Sequence, residues 1–134
     1  MIVTIASFVR TAIVEHAAAA APDEACGILL GRASAIDDVV VARNVAAAPG
    51  RSFEIDPALL LTVHREARRD GRDVVGFYHS HPNGAPTPSA RDAAGAVEDG
   101  KVWVIVADGM VSGWQAVGGA PVHGRFAPVD LVPA

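Results

Sequence analysis

Apolar and polar positions along this chain switch between a helical period and short continuous apolar runs. From Ser7 onward, Val9, Ala12, Ile13, Ala17 and Ala20 recur at helical spacing. That predicts a helix with Ser7 as its N-cap, running to about Ala21 and stopped by Pro22. The alanines at 17–21 stay in it because Ala is the best helix former. Two apolar runs follow, at 26–31 and 37–45, and read as buried strands. Asp56-Pro57 is a helix start, with Asp at the N-cap and Pro at the first helical position. Leu60, Val63, His64 and Ala67 continue that helix, and Gly71 ends it. Residues 73–81 read as a strand entering a loop rich in Pro and Gly, and a third helix is expected from near Ser89 to just before Gly100. The run at 102–107 is a buried strand, and 111–117 is its hairpin partner across Asp108-Gly109, a favoured turn dipeptide. Gly118-Gly119 predicts another turn, and the tail adds a last short strand. Helices interleaved with strands make the chain α/β or α+β, one sheet flanked by helices.

Composition narrows the function classes. The 134 residues fit one domain, 1–134, and 51% hydrophobic with 19% charged residues is a soluble globular balance. The net charge of −4 and pI near 5.6 lack the basic excess of a nucleic-acid binder. Arg65, Arg68, Arg69 and Arg72, balanced by Glu66 and Asp70, read as the solvated face and C-terminal end of a helix, where positive charge suits the dipole. Cys26 is the single cysteine, so no internal disulfide forms. No apolar run approaches the length of a membrane span, and the first ten residues lack the pattern of a secretory signal. A cytoplasmic protein is the expectation, with no membrane partner.

The chemistry concentrates in residues 79–92, HSHPNGAPTPSARD. His79 and His81, at i and i+2 at a strand end, point to the same side of the strand and can reach one metal ion. Asp92 follows a loop that can fold back to the same point. Two His and one Asp leave a fourth tetrahedral position for water, the pattern of a catalytic rather than a structural zinc site. Zinc lowers the pKa of bound water to about 7, and peptide cleavage further needs a carboxylate off the metal to move protons. Glu24, at the entrance of the run EACGILLG, is the candidate. Ser89-x-x-Asp92 also has a purely structural reading as a capping box, with Asp where Glu is usual. Cys26 reads as a buried structural thiol. His16, His64 and His123 read as surface or satisfied core groups, and Trp103 and Trp114 as core. Ser80 points away from the two histidines.

Glu24 followed by His79-x-His81-Pro82, Ser89 and Asp92 resembles the JAMM family (also MPN+ or Mov34/PAD-1) of zinc metalloproteases, most closely its small stand-alone prokaryotic members. The likeness extends over most of the chain, including the FEIDP turn at 53–57 and the VWVIVADG strand. It implies an α/β fold with a single mixed sheet flanked by helices, cytidine-deaminase-like. It further implies one zinc per chain held by His79, His81 and Asp92, with Glu24 as acid/base and Ser89 donating a hydrogen bond to the oxyanion. The implied substrate is a ubiquitin-like or sulfur-carrier protein ending in Gly-Gly, cut after that pair to release an amino acid or short peptide. Such a tail can be taken up as an added strand at an open sheet edge. Two alternatives stand beside this reading. Some family members lack the ligands and serve as binding scaffolds. A RadC-like, DNA-repair-associated branch has HNHPSG where this chain has HSHPNG, together with an N-terminal DNA-binding segment not seen here. The sequence does not specify the oligomeric state.

Overall fold

The computed structural model describes residues 1–134. Seven strands and three helices follow in the order β1 (Ile2–Ile5), α1 (Ser7–Ala20), β2 (Cys26–Arg32), β3 (Ala35–Ala42), α2 (Pro57–Arg69), β4 (Asp73–Ser80), α3 (Ala90–Gly95), β5 (Val102–Ala107), β6 (Met110–Ala120) and β7 (Gly124–Pro133). The chain is α/β with one mixed sheet and helices on its faces, as the pattern and the resemblance imply. The sheet also closes on itself, in the order β1-β3-β2-β4-β5-β6-β7. The short β1 closes it, pairing in parallel with β3 through Thr4 and Ile5 and with β7 through Ile2 to Ile5. Closure removes most of the edge available for an added strand. Stretches with a neighbour on one side only remain at 37–42 of β3 and at 124–129 of β7.

Two helices cover opposite faces. Val9 and Ile13 of α1 pack on Val3, Ile5, Leu29, Ile36, Val75, Tyr78 and Val104. Val63 and Ala67 of α2 pack on Ile28, Leu30 and Val74. Ile28 and Leu30 thus face α2 while Leu29 faces α1, the period-two alternation of a strand buried on both sides. β4 does the same with one interruption. Its register against β2 shifts between Leu29 and Leu30, so Val74 and Phe77 join the α2 cluster while Val75 and Tyr78 join that of α1. Beyond the bulge the alternation resumes, which puts His79 on the face of Phe77. Gly76 sits in the bulge, and a Cβ there would lie 1.7 Å from the Val102 carbonyl oxygen. A third cluster, Ala96, Trp103, Ala116 and Phe126 with Phe53 and Trp114 against it, lies beside α3.

Several local signals work as read. The Asp56 side chain accepts from Ala58 N at 3.0 Å, with Pro57 in the first turn. Arg68 and Arg69 lie in the last turn of α2, whereas Arg72 lies past its end and pairs with Asp38 at 3.0 Å. Asp108 and Gly109 both take positive φ, 50° and 74°, and join β5 to β6. Other elements differ. Ala6, not Ser7, is the N-cap of α1, and it offers no side-chain bond. Pairing decides this: Ala6 N–H is held by the Ile36 carbonyl at 3.0 Å, so the helix begins as soon as the strand lets go. α3 stops at Gly95, because Ala96 turns in against Trp103 and Phe126. Gly118 and Gly119 do not turn the chain. They lie within β6 where its register against β7 shifts, Gly119 at φ 81°, and the reversal comes at 121–124 through His123 (φ 53°) and Gly124 (φ 68°). The last strand is ten residues long, not short. No helix is long and apolar enough to cross a membrane.

The bulge yields a stability prediction. Gly76→Ala should destabilise the fold by about 3 kcal/mol, the upper range for forcing atoms into filled space, because the obstacle is backbone that cannot rotate away. Urea unfolding of the purified variant measures it, and a loss below about 1 kcal/mol would mean that the bulge relaxes freely.

Candidate active site

The end of β4 and the start of β2 build one side of the site. Cys26 pairs with His79 in the antiparallel β2–β4 ladder, so Glu24 lies across from His81 two residues further along. Ser80 and Ala25 lock this register, with Ser80 N donating to the Ala25 carbonyl at 3.1 Å and Ala25 N donating to Ser80 Oγ at 2.8 Å. Ser80 therefore faces away from the histidines, as its place between them predicts. His81 extends the pairing by donating its N–H to the Val106 carbonyl at 2.8 Å.

The loop 82–88 then returns the chain to α3. Ser89 caps that helix: its Oγ accepts from Asp92 N at 3.0 Å, and Asp92 Oδ2 accepts from Ser89 N at 2.9 Å. The capping box fixes the carboxylate at the histidines. His79 Nε2 lies 3.1 Å from Asp92 Oδ1, His81 Nε2 lies 3.0 Å from Asp92 Oδ2, and the two Nε2 atoms are 3.0 Å apart. His81 Nδ1 is 2.9 Å from the Ala85 carbonyl, a partner that only accepts, so Nδ1 carries hydrogen; in the neutral ring Nε2 then presents its lone pair inward, and in the protonated ring it donates to Asp92. Phe53 stacks on the fully buried His79 ring, centroids 4.5 Å apart at 21°.

Two ring nitrogens and a carboxylate thus converge on one point. Burial disfavours the Asp92 carboxylate, but hydrogen bonds from His79 and His81 outweigh it and hold the carboxyl well below its usual range. Burial lowers His79, whereas for His81 the bonds to Asp92 and Ala85 overcome burial and raise it. A ring of two nitrogens and a carboxylate oxygen fits Zn2+. At metal–ligand distances near 2.0–2.1 Å, tetrahedral neighbours sit about 3.3 Å apart, so the two Nε2 atoms, 3.0 Å apart, need to open by only about 0.3 Å.

Glu24 is 7% exposed, and one of its carboxylate oxygens lies within 4.8 Å of ring nitrogens of His79 and His81. That gap accommodates one water. Burial pushes the Glu24 carboxyl up to about 7, and its Oε1 has no hydrogen-bond partner. The structure thus brings together all five predicted site residues. Two clefts flank them. One, of about 330 Å³, is walled by Phe53, Ile55, Leu60, Phe77 and Trp103; the other, of about 420 Å³, is polar and bounded by Glu24, Arg51, His81, Ser89 and Arg91.

The remaining candidates stay out of the site. His16 Nδ1 bonds Tyr78 Oη at 2.7 Å, and His123 Nε2 faces the Pro88 carbonyl at 3.1 Å. His64 is partly buried on α2, Trp103 is core, and Trp114 donates to Ser112 Oγ at 2.9 Å. Sequence reasoning passed over Phe53 as a ring stacked on a histidine. It also passed over Asn44, a polar side chain inside the stretch 37–45 that reads as a strand.

The arrangement is that of a JAB1/MPN domain. A solved JAB1/MPN domain protein from Archaeoglobus fulgidus has the same fold, at TM-score 0.62 and 21% identity over 97% of both chains. A family model described as prokaryotic homologs of the JAB domain matches residues 7–117. A desampylase of Haloferax volcanii is 35% identical over 86% of this chain and 88% of its own length. A probable TtuB-protein conjugate cleaving protease of Thermus thermophilus is 35% identical over 58% of this chain and 51% of its own. The chain belongs to the prokaryotic JAB family, and it is an enzyme, a JAMM-type metalloprotease.

Cys26 offers a check on the burial around the site. It is fully buried, and burial with the nearby Glu24 pushes its thiol up to about 11. In the folded enzyme at pH 8 it should resist a thiol reagent for hours and react at once in denaturant. Rapid labelling of the native state would show β2 to be open at its entrance.

Proposed function

We propose that His79, His81 and Asp92 hold one zinc ion per chain and that Glu24 and Ser89 complete a peptidase or isopeptidase centre. The observation that carries this is the convergence of two Nε2 atoms and a capped carboxylate to 3.0–3.1 Å, with a Glu24 carboxylate oxygen within 4.8 Å of both rings. Asp92 rather than Glu24 is the third ligand, since it lies closer to both rings and is fixed by its own helix. Bound there, zinc would lower the pKa of a water toward neutrality and polarise the scissile carbonyl. Glu24 takes the water proton and returns it to the leaving amine, a double duty suited to a carboxyl with a pKa near the working pH. Ser89 Oγ uses a lone pair on Asp92 N, which leaves its O–H free to donate to the oxyanion. Cap and catalytic donor are therefore compatible roles for one hydroxyl. The complete residue set speaks against a ligand-free scaffold.

The substrate we infer is a ubiquitin-like or sulfur-carrier protein, cut after a C-terminal Gly-Gly with release of an amino acid or short peptide. The names of the Haloferax and Thermus relatives support the substrate class. Two glycines suit a narrow approach to a buried centre because they carry no side chain to clash.

Metal analysis of the purified chain should give one zinc, and Asp92→Ala or His79→Ala should lose metal and activity together. Full zinc occupancy in either variant would show the ligands to be misassigned. Glu24→Gln should retain zinc while turnover falls about 10²–10⁴-fold, the scale of a general acid–base group. Ser89→Ala should keep most zinc and lose about 10²-fold or more. If it lowers only the melting temperature, the capping box accounts for the residue entirely. Mass spectrometry of a ubiquitin-like domain extended by one residue after Gly-Gly tests the specificity, and equal cleavage after both glycines are changed to Val would refute it.

A further inference from the structure

Residues 43–56 link β3 to α2 with almost no secondary structure; a single bridge pairs Asn44 with Ile55. Such a segment must satisfy its inward carbonyls by other means. One side chain does it here. Asn44 Nδ2 faces three carbonyl oxygens, those of Ser52 at 2.9 Å, Glu24 at 3.0 Å and Pro49 at 3.3 Å. Its Oδ1 accepts from Ala46 N at 3.0 Å and Glu54 N at 3.2 Å. A primary amide has two N–H bonds and two lone pairs, so this one is saturated. Acceptors stand on one side and donors on the other, so the amide has one permitted orientation.

The Glu24 end of this network reaches the reaction. The Glu24 backbone is gripped twice by the segment: its N–H donates to the Pro49 carbonyl at 2.8 Å, and its carbonyl accepts from Asn44. The next residue, Ala25, is gripped twice by Ser80. By contrast, Glu24 Oε1 is buried with no hydrogen-bond partner. The place of the carboxyl is therefore set by its main chain more than by its own side-chain bonds. We propose that Asn44 is a positioning residue that holds Glu24 in register with the His79–His81 pair. This rests on the acid/base reading of Glu24. Every hydrogen bond of the Asn44 side chain is to backbone, none to His79, His81 or Asp92, so it acts through the main chain.

A misplacement of about 1 Å at a reacting group can cost on the order of 10²-fold in rate. Asn44→Asp keeps the shape and the acceptor oxygen but sets a carboxylate against three carbonyls. Turnover of the Gly-Gly-extended ubiquitin-like domain should fall about tenfold to 10²-fold, with KM changed less than about threefold and one zinc retained. In the Glu24→Gln background the same change should cost less than about twofold, because a residue acting through Glu24 has nothing left to position. Amide hydrogen exchange of the chain without added zinc provides a readout independent of activity. Exchange should quicken at Glu24 and at the loop amides of Ala46 and Glu54 while the β4–β5 amides keep their protection. Should Asn44→Asp fail to fold, Ser80→Ala removes the neighbouring grip on Ala25 and should give the same kcat loss and the same non-additivity. Additive losses in the double variant, or exchange raised uniformly across the sheet, would reduce Asn44 to a structural role and overturn the proposal. Full turnover by Glu24→Gln alone would overturn the acid/base reading itself, and the positioning role with it. That result is read from the single variant, before any change at Asn44.

Discussion

The pairing of β2 with β4 in one register is the constraint on which the site depends. Cys26 opposite His79 puts Glu24 opposite His81, and the two strands come from parts of the chain separated by more than fifty residues. Because side chains alternate with period two, a slip of one residue would turn Glu24 to the other face of the sheet. The register is held on both sides of the ladder. Ser80 and Ala25 exchange bonds at the site end, and Gly27 allows close packing further in, where a Cβ would meet Tyr78 Cε1 at 2.2 Å and the Val40 carbonyl oxygen at 2.5 Å. Tyr78 in turn is anchored by His16 of α1. A helix on the far side of the sheet thus helps to keep the carboxylate and the imidazoles on the same side.

The core alternation and the site are two consequences of the same strand. β4 is buried on both faces, and its bulge at Val75 and Gly76, with Val75 the extra residue, decides which residues look toward α2 and which toward α1. Without that extra residue, the parity between Val74 and His79 would change, and either the core contacts of Val74 or the direction of the histidines would be lost. Covering His79 with Phe53 and Trp103 then lowers the local dielectric around the converging acceptors. Low dielectric raises the cost of leaving them without a cation and strengthens their hold on one.

How much of this was legible follows from where each interaction lies along the chain. Asp56-Pro57 and Asp108-Gly109 encode their turns and caps locally, and both work as read. The His-x-His spacing and Ser89-x-x-Asp92 are likewise local, so the residues could be named before their meeting was seen. β1 was missed because four residues pairing with partners more than thirty and more than a hundred positions away carry no local signature. Closure of the sheet went with it. The reversal at 121–124 was displaced from Gly118-Gly119 because two glycines permit a bulge as readily as a turn, and pairing with β7 chose the bulge. Asn44 was illegible for a similar reason: its five partners span residues 24 to 54, and their carbonyls and amides look the same in any sequence.

The capping box at Ser89 shows why structural and chemical readings of one motif need not compete. The usual partner of a capping Ser is Glu, whose longer side chain folds back to the N-cap amide. Here Asp takes that place. Its Oδ2 accepts from Ser89 N at 2.9 Å and still lies 3.0 Å from His81 Nε2, while Oδ1 reaches His79 at 3.1 Å. An additional methylene would move the carboxylate by about 1.5 Å relative to the helix, since that is the length of one C–C bond. The two oxygens would then have to choose between the cap and the histidines. The shorter side chain allows the helix start to orient the carboxylate without competing for the lone pairs directed at the histidines. The helix itself can be short, six residues, because its N-terminal turn already holds Asp92 in place.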